Sequence, residues 1–133
     1  MSEGFKLEIV NPEKSFLLKD RVLEVVVPAF EGEMGILKDH ISIISFLKPG
    51  LLKVFEFGSN EETYYVEDGI IEFKNNCLSI LTSNIFNIKK IDKNIVREAL
   101  TKAEKDTQNK DISDQKKYLL DQKIEVLKSL TLN

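Results

Sequence analysis

The hydrophobic period of this chain changes once, and the place where it changes divides the molecule. Up to about Lys90, apolar residues recur at every second position or in short β-branched runs; from Ile91 they recur every three to four residues. Strands followed by helices, rather than strands interleaved with helices, describe an α+β chain. Phe5, Leu7 and Ile9 alternate with Lys6 and Glu8 until Asn11-Pro12-Glu13 interrupts them, and Ser15–Lys19 forms a second short run that Asp20 ends. Arg21–Val27 is β-branched and apolar enough to be buried on most of its length, with Pro28 closing it. After a glycine-containing stretch, Ile41–Phe46 and Leu51–Phe57 flank the turn Lys48-Pro49-Gly50, and Gly58-Ser59-Asn60 turns the chain into Glu62–Val66. Glu67-Asp68-Gly69 then reads as a hairpin turn into Ile70–Phe73, with Gly69 expected at positive φ. Lys74-Asn75-Asn76 leads to Cys77–Thr82, and Ile85–Ile88 is a last strand. Short strands at this spacing predict a ten-stranded antiparallel β-sandwich or flattened barrel.

Beyond the change of period, Ile91, Ile95, Val96, Ala99, Leu100 and Ala103 fall on one helical face, and Asp92 is placed to cap that helix. The polar stretch Thr107–Ile112 separates it from a second helix, capped by Ser113 or Asp114, whose apolar side carries Leu119, Leu120, Ile124, Leu127 and Leu130. Each helix has about 15 residues, a length marginal in isolation, so both must pack on each other, on the sheet or on a partner. A short polar connection makes an antiparallel helix hairpin the economical arrangement. The expected organisation is a sandwich over residues 1–90 and a helical hairpin over 91–133.

At 133 residues and 15.2 kDa the chain suits one domain with a small appendage. Its net charge of −3 is unevenly distributed: residues 1–92 carry −5 and residues 93–133 carry +2. That balance lacks the concentrated basic patch of a nucleic-acid binder. No apolar run approaches the roughly 20 residues that span a bilayer. The N-terminal residues have the character of neither a secretion signal nor a transit peptide. A single cysteine, Cys77, excludes an internal disulfide framework and suits a reducing compartment, so the cytoplasm is the expected location.

Catalytic constellations are missing. His40 and Cys77 are far apart in sequence, no set of ligands has the spacing of a metal site, and neither a nucleophile elbow nor a phosphate loop occurs. Glu31 and Glu33, in the run EGEMG, could be drawn as an acid–base pair, but neighbouring loop carboxylates are ordinarily solvated. Neither a cofactor nor a metal is expected. What stands out is the segment from Val27 to Val54, in which a loop that presents Glu31, Glu33 and His40 from a rigid sheet would be a docking surface.

These residues also carry a resemblance. Pro12-Glu13 and Phe16 after the first strand, Glu31, Gly32, Gly35, Ile36, Leu37 and His40 in the pattern E-G-x-x-G-I-L-x-x-H, and Leu47, Pro49 and Gly50 before a strand all keep fixed spacings. Tyr64 or Tyr65, Val66, Gly69 and Glu72, then Asn76 leading into Leu78–Thr82, then Ile91-Asp92 before the helices, continue the pattern over nearly the whole chain. The chain resembles the epsilon subunit of the F-type ATP synthase, the counterpart of the mitochondrial delta subunit.

The resemblance implies a non-catalytic rotor subunit at the cytoplasmic face of the cell inner membrane. It would meet the membrane only indirectly, through the complex, and would not bind nucleic acid. The sandwich would bind the gamma subunit and the c-ring, with Glu31, Gly32, Glu33, Gly35 and His40 at the c-ring interface. The helices would be able to extend to the alpha/beta catalytic head and inhibit ATP hydrolysis. Two departures stand out. Members that bind ATP carry Arg-Ala early in the first helix, where this chain has Ile95 and Val96; Asp92 and Arg97 are the only candidates left, and no ATP site is expected. Lys38 and Asp39 also replace the family's Pro-Gly before the histidine, so that turn is expected to differ locally. The readings from other classes are a free-standing β-sandwich that binds a small ligand or carbohydrate, and a hydrolase on a sandwich scaffold.

Overall fold

A computed structural model describes residues 4–12, 15–58 and 60–131. Nine strands and two helices follow in order: β1 (Phe5–Val10), β2 (Ser15–Ala29), β3 (Gly32–Leu37), β4 (Ile43–Leu47), β5 (Gly50–Glu56), β6 (Glu61–Val66), β7 (Gly69–Lys74), β8 (Cys77–Thr82), β9 (Ile85–Asn87), α1 (Lys93–Asp106) and α2 (Asp114–Thr131). The strands run in the order β1-β8-β7-β4-β2-β5-β6-β9, with β3 on β2 and a further β1–β2 pairing that closes the sheet on itself. The result is a β-sandwich followed by two helices, as expected. It has nine strands among the described residues rather than ten, and the β1–β8 pair is parallel rather than antiparallel.

The count differs because β2 is one long strand. Asp20 does not end it: the pairing Leu7↔Lys19 is followed by Phe5↔Val22, so one extra residue on β2 makes a bulge. A second irregularity, between Val22 and Glu24, lets the buried positions run Val22, then Val25, Val27 and Ala29. Bulges bend a strand and reset its phase, which allows β2 to serve both layers. Nor does Pro28 close the strand. It pairs with Glu33, and its carbonyl accepts the Lys48 amide at 3.0 Å. The glycine-containing stretch holds β3, whose exposed Glu33, Gly35 and Leu37 hide the usual alternation. Glu13, in the family's Pro-Glu, and Ser59 lie outside the described residues.

The core is the inward phase of both layers: Phe5, Leu7 and Ile9 meet Ile71, Phe73, Leu78 and Ile80 from one layer and Val25, Val27, Leu52 and Val54 from the other. Gly69 does not take positive φ. A Cβ there would lie 2.0 Å from the Leu81 carbonyl oxygen, so the residue is required by close strand approach, not by a left-handed turn. Asn75 and Asn76, both near φ +54°, make the two-residue turn between β7 and β8. Asp39, at φ 66°, stands where the family has glycine and adopts a backbone suited to one. Its amide donates to Asn76 Oδ1 at 2.7 Å, and Asn76 Nδ2 donates back to its carboxylate at 2.9 Å, tying the two turns together.

The helices pack against each other and cover the outer face of β5 and β6. Val96 and Leu127 are buried on Tyr65, with Leu51, Phe86, Ala99 and Leu100 around them, in a cluster separate from the core. Asp92 caps α1, its carboxylate accepting the Asn94 amide at 2.8 Å, and the Ser113 hydroxyl accepts the Lys116 amide at the start of α2.

Candidate functional site

The two-residue link Phe30-Glu31 joins β2 to β3, with Ala29 opposite Gly32. Gly32 sits at φ 136°, which an L side chain rarely adopts. The Phe30 amide donates to the Phe46 carbonyl at 2.9 Å, and Ser45 Oγ donates to Glu31 Oε2 at 3.1 Å, so β4 holds the tip. Glu31 and Glu33 are exposed. Gly35 lies mid-strand opposite Val26, and a Cβ there would meet only the Glu24 carboxylate. His40 lies at the far end of β3. Its Nδ1–H donates to the Ile41 carbonyl at 2.8 Å, and its ring meets the Phe73 ring edge-on at 5.8 Å. Six residues of strand span about 17 Å. The structure therefore gathers Glu31, Gly32 and Glu33 at one end, and His40 at the other.

The two outer faces of the sandwich are treated differently. One is under the hairpin. There the Tyr65 hydroxyl donates to Glu67 Oε2 at 2.8 Å, and Lys123 Nζ reaches the same carboxylate oxygen at 2.8 Å. Burial, with Glu67 adjacent, pushes the Tyr65 phenol well up; burial, then the hydrogen bond to Glu62, does the same for Tyr64. Both phenols therefore stay protonated donors at neutral pH.

The other outer face, formed by β1, β8, β7 and β4, is uncovered. Register places Val10 beside Leu81, Leu81 beside Ile70 and Ile70 beside Phe46, giving one apolar row across four strands. Phe46 is 58% exposed and Leu81 49%. Between this row and the start of α2 runs a groove of about 750 Å³, lined by Phe30, Phe46, Ile70, Leu81 and Leu119. The Phe30 ring lies 5.7 Å from that of Tyr118, so the tip touches the hairpin as well as the sheet.

Sequence reasoning named the tip but not the row. Its signal was present: Ile43–Leu47 is apolar in both phases, as a strand covered on both faces would be. Asp92 and Arg97 do not converge. The carboxylate of Asp92 is taken by its capping role, and the shallow groove beside Arg97 is lined by Glu98, Thr101, Lys102 and Lys105, without Asp92. Among the described residues no three His, Cys, Asp or Glu side chains gather as metal ligands, and no helix is long and apolar enough to cross a membrane.

The family model for the ATP synthase delta/epsilon chain β-sandwich domain matches residues 4–88. The chain is 72% identical over 130 residues to the ATP synthase epsilon chain of Pelagibacter ubique, covering 98% of this chain and 99% of the relative. In fold it is similar to a chain in the Euglena gracilis mitochondrial ATP synthase, with a TM-score of 0.76, 21% identity and coverage of 98% and 81%. It is likewise similar to a chain of the Tetrahymena thermophila mitochondrial ATP synthase central stalk and c-ring, with a TM-score of 0.64, 17% identity and coverage of 95% of both chains.

Proposed function

This chain belongs to the delta/epsilon family of ATP synthase subunits, and on that premise we propose that it is a non-catalytic part of the rotor that links the gamma subunit to the c-ring. The observation that carries the reading is the uncovered row Val10–Leu81–Ile70–Phe46. A contiguous exposed apolar row on a rigid sheet marks a protein contact. Gamma is the partner assigned to it. The tip Glu31-Gly32-Glu33 is assigned to the c-ring, because it projects from one end with both carboxylates exposed. His40, at the opposite end of β3, is left out of that contact.

In this reading the protein sits peripherally on the cytoplasmic face of the membrane, held there by the complex. It transmits torque and carries out no bond chemistry. The sandwich, residues 1–90, supplies the docking faces, and the hairpin, 91–133, is a separable regulatory module that can reach toward the alpha/beta head. The family's relatives leave no special reason to favour a free-standing ligand-binding sandwich. The test is assembly. Phe46→Ser with Ile70→Ser should leave the folded chain intact, as judged by circular dichroism, and abolish co-purification with gamma. Full retention of gamma by the folded double variant would overturn the assignment.

A further inference from the structure

The face that carries the apolar row carries two more rows, and their charges alternate in sign. Next to the apolar row, Glu8 and Glu72 flank Ser79 from either side; next to that, Lys6 and Lys74 flank Cys77. All four charged side chains are exposed on the outward phase of their strands. None of the four has an ion-pair partner among the described residues. Strand geometry sets about 6.8 Å between successive rows and about 9.6 Å between the like charges within a row. Like charges at that separation on one sheet repel each other mildly, and the opposite charges two residues apart along β1 and β7 attract without closing a direct ion pair among the described residues. The second row ends on Ile44, 70% exposed, beside a shallow groove of about 330 Å³ lined by Ser42, Ile44, Glu72 and Lys74.

We propose that this face selects its partner by an ordered pattern, apolar then acidic then basic along the strand direction, and that the gamma surface seated on it presents the complement, apolar then basic then acidic. The proposal rests on the reading that the apolar row docks gamma, and it extends that contact by two rows. Order matters because a partner turned end for end, or slipped by two residues along the strands, would set like charges together. Electrostatic complementarity of this kind fixes register and rejects wrong partners more than it adds raw affinity. A rotor contact that transmits torque needs a fixed register.

The experiment measures binding of the full chain to a gamma-containing alpha/beta/gamma complex depleted of this subunit, at two salt concentrations. Four variants are compared: Glu8→Lys with Glu72→Lys; Lys6→Glu with Lys74→Glu; all four changes together; and Phe46→Ser with Ile70→Ser. Circular dichroism confirms that each is folded. The fourfold exchange keeps net charge and composition and inverts only the order. It is expected to weaken binding at least tenfold at low salt, with each charge-reversing pair weakening it as well and the loss shrinking at high salt. Unchanged binding by the fourfold exchange, alongside loss in the apolar variant, would overturn the ordered pattern while leaving the gamma contact standing. Unchanged binding in all four would overturn both.

Discussion

Leu127 is the residue through which α2 is held, and truncating it should undock the hairpin before the sandwich is disturbed. Its side chain is 1% exposed and packs with Val96 and Tyr65 in a cluster that shares no residue with the main core. Replacing a buried leucine by alanine costs about 3 kcal/mol when the site cannot collapse. Because the cluster lies between hairpin and sheet, that cost falls on docking. A loss of 3 kcal/mol shifts the ratio of docked to undocked hairpin by roughly 150-fold. A regulatory element whose two states lie within a few kcal/mol of one another would then spend a substantial fraction of its time undocked. Hydrogen exchange on the intact chain reads this directly. Leu127→Ala should strip protection from amides across residues 93–131 while β7 and β8 exchange as in the parent. Joint loss of protection in helices and strands, at one common rate, would show a single cooperative unit and refute the separation of modules.

Gly69→Ala should cost about 3 kcal/mol or more, because the added Cβ would sit 2.0 Å from a backbone oxygen that only a shift of β8 can move; a melting temperature within a degree or two of the parent would contradict it. Gly32→Ala, by contrast, meets no atom within 4 Å and should show only the backbone strain of φ 136°, about 1–2 kcal/mol in a denaturant titration. Glu31→Lys with Glu33→Lys should weaken coupling of ATP synthesis to proton flow, modestly at physiological salt and more at low salt, since exposed pairs are worth about 0.2–1 kcal/mol each; salt-independent, parental coupling would count against the tip as the c-ring contact. Asp92→Ala should cost about 1 kcal/mol of helix stability by removing a cap, with calorimetry detecting no Mg-ATP binding before or after; a sub-millimolar site lost in the variant would restore the nucleotide role.

The architecture was legible because hydrophobic period reports burial, and burial here changes character once. Cys77–Thr82 and the Asp92 cap are found as the residues suggest, since one is a clean alternating strand and the other a local side-chain bond. Less visible were features set by tertiary context. A polar Asp20 inside β2 looks like a terminator unless the bulge it occupies is known. Gly69 looks like a turn residue, and the neighbour that requires it, Leu81, is twelve residues away. The candidate site was half legible. Its tip lies within one short segment, whereas the apolar row draws one residue from each of four strands, and register alone brings them together. That His40 parts from Glu31 follows from the length of β3, whose exposed glycine-rich sequence does not announce a strand.

The parallel pairing of β1 with β8 has a consequence for synthesis. Lys6 pairs with Cys77, seventy-one residues later, so β1 leaves the ribosome long before the strand that completes it. At about 5–20 residues per second, that interval is roughly 4–14 s. Throughout it, β1 and the first half of β2 can form their antiparallel ribbon, with one edge of β1 unpaired in the crowded vicinity of other nascent chains. An open edge of that kind is a template for pairing between molecules. On the outward phase of β1 stand Lys6 and Glu8, two charges flanking the apolar Leu7. The same side chains that present a pattern to a partner in the finished protein guard this strand as a gatekeeper pair while it waits.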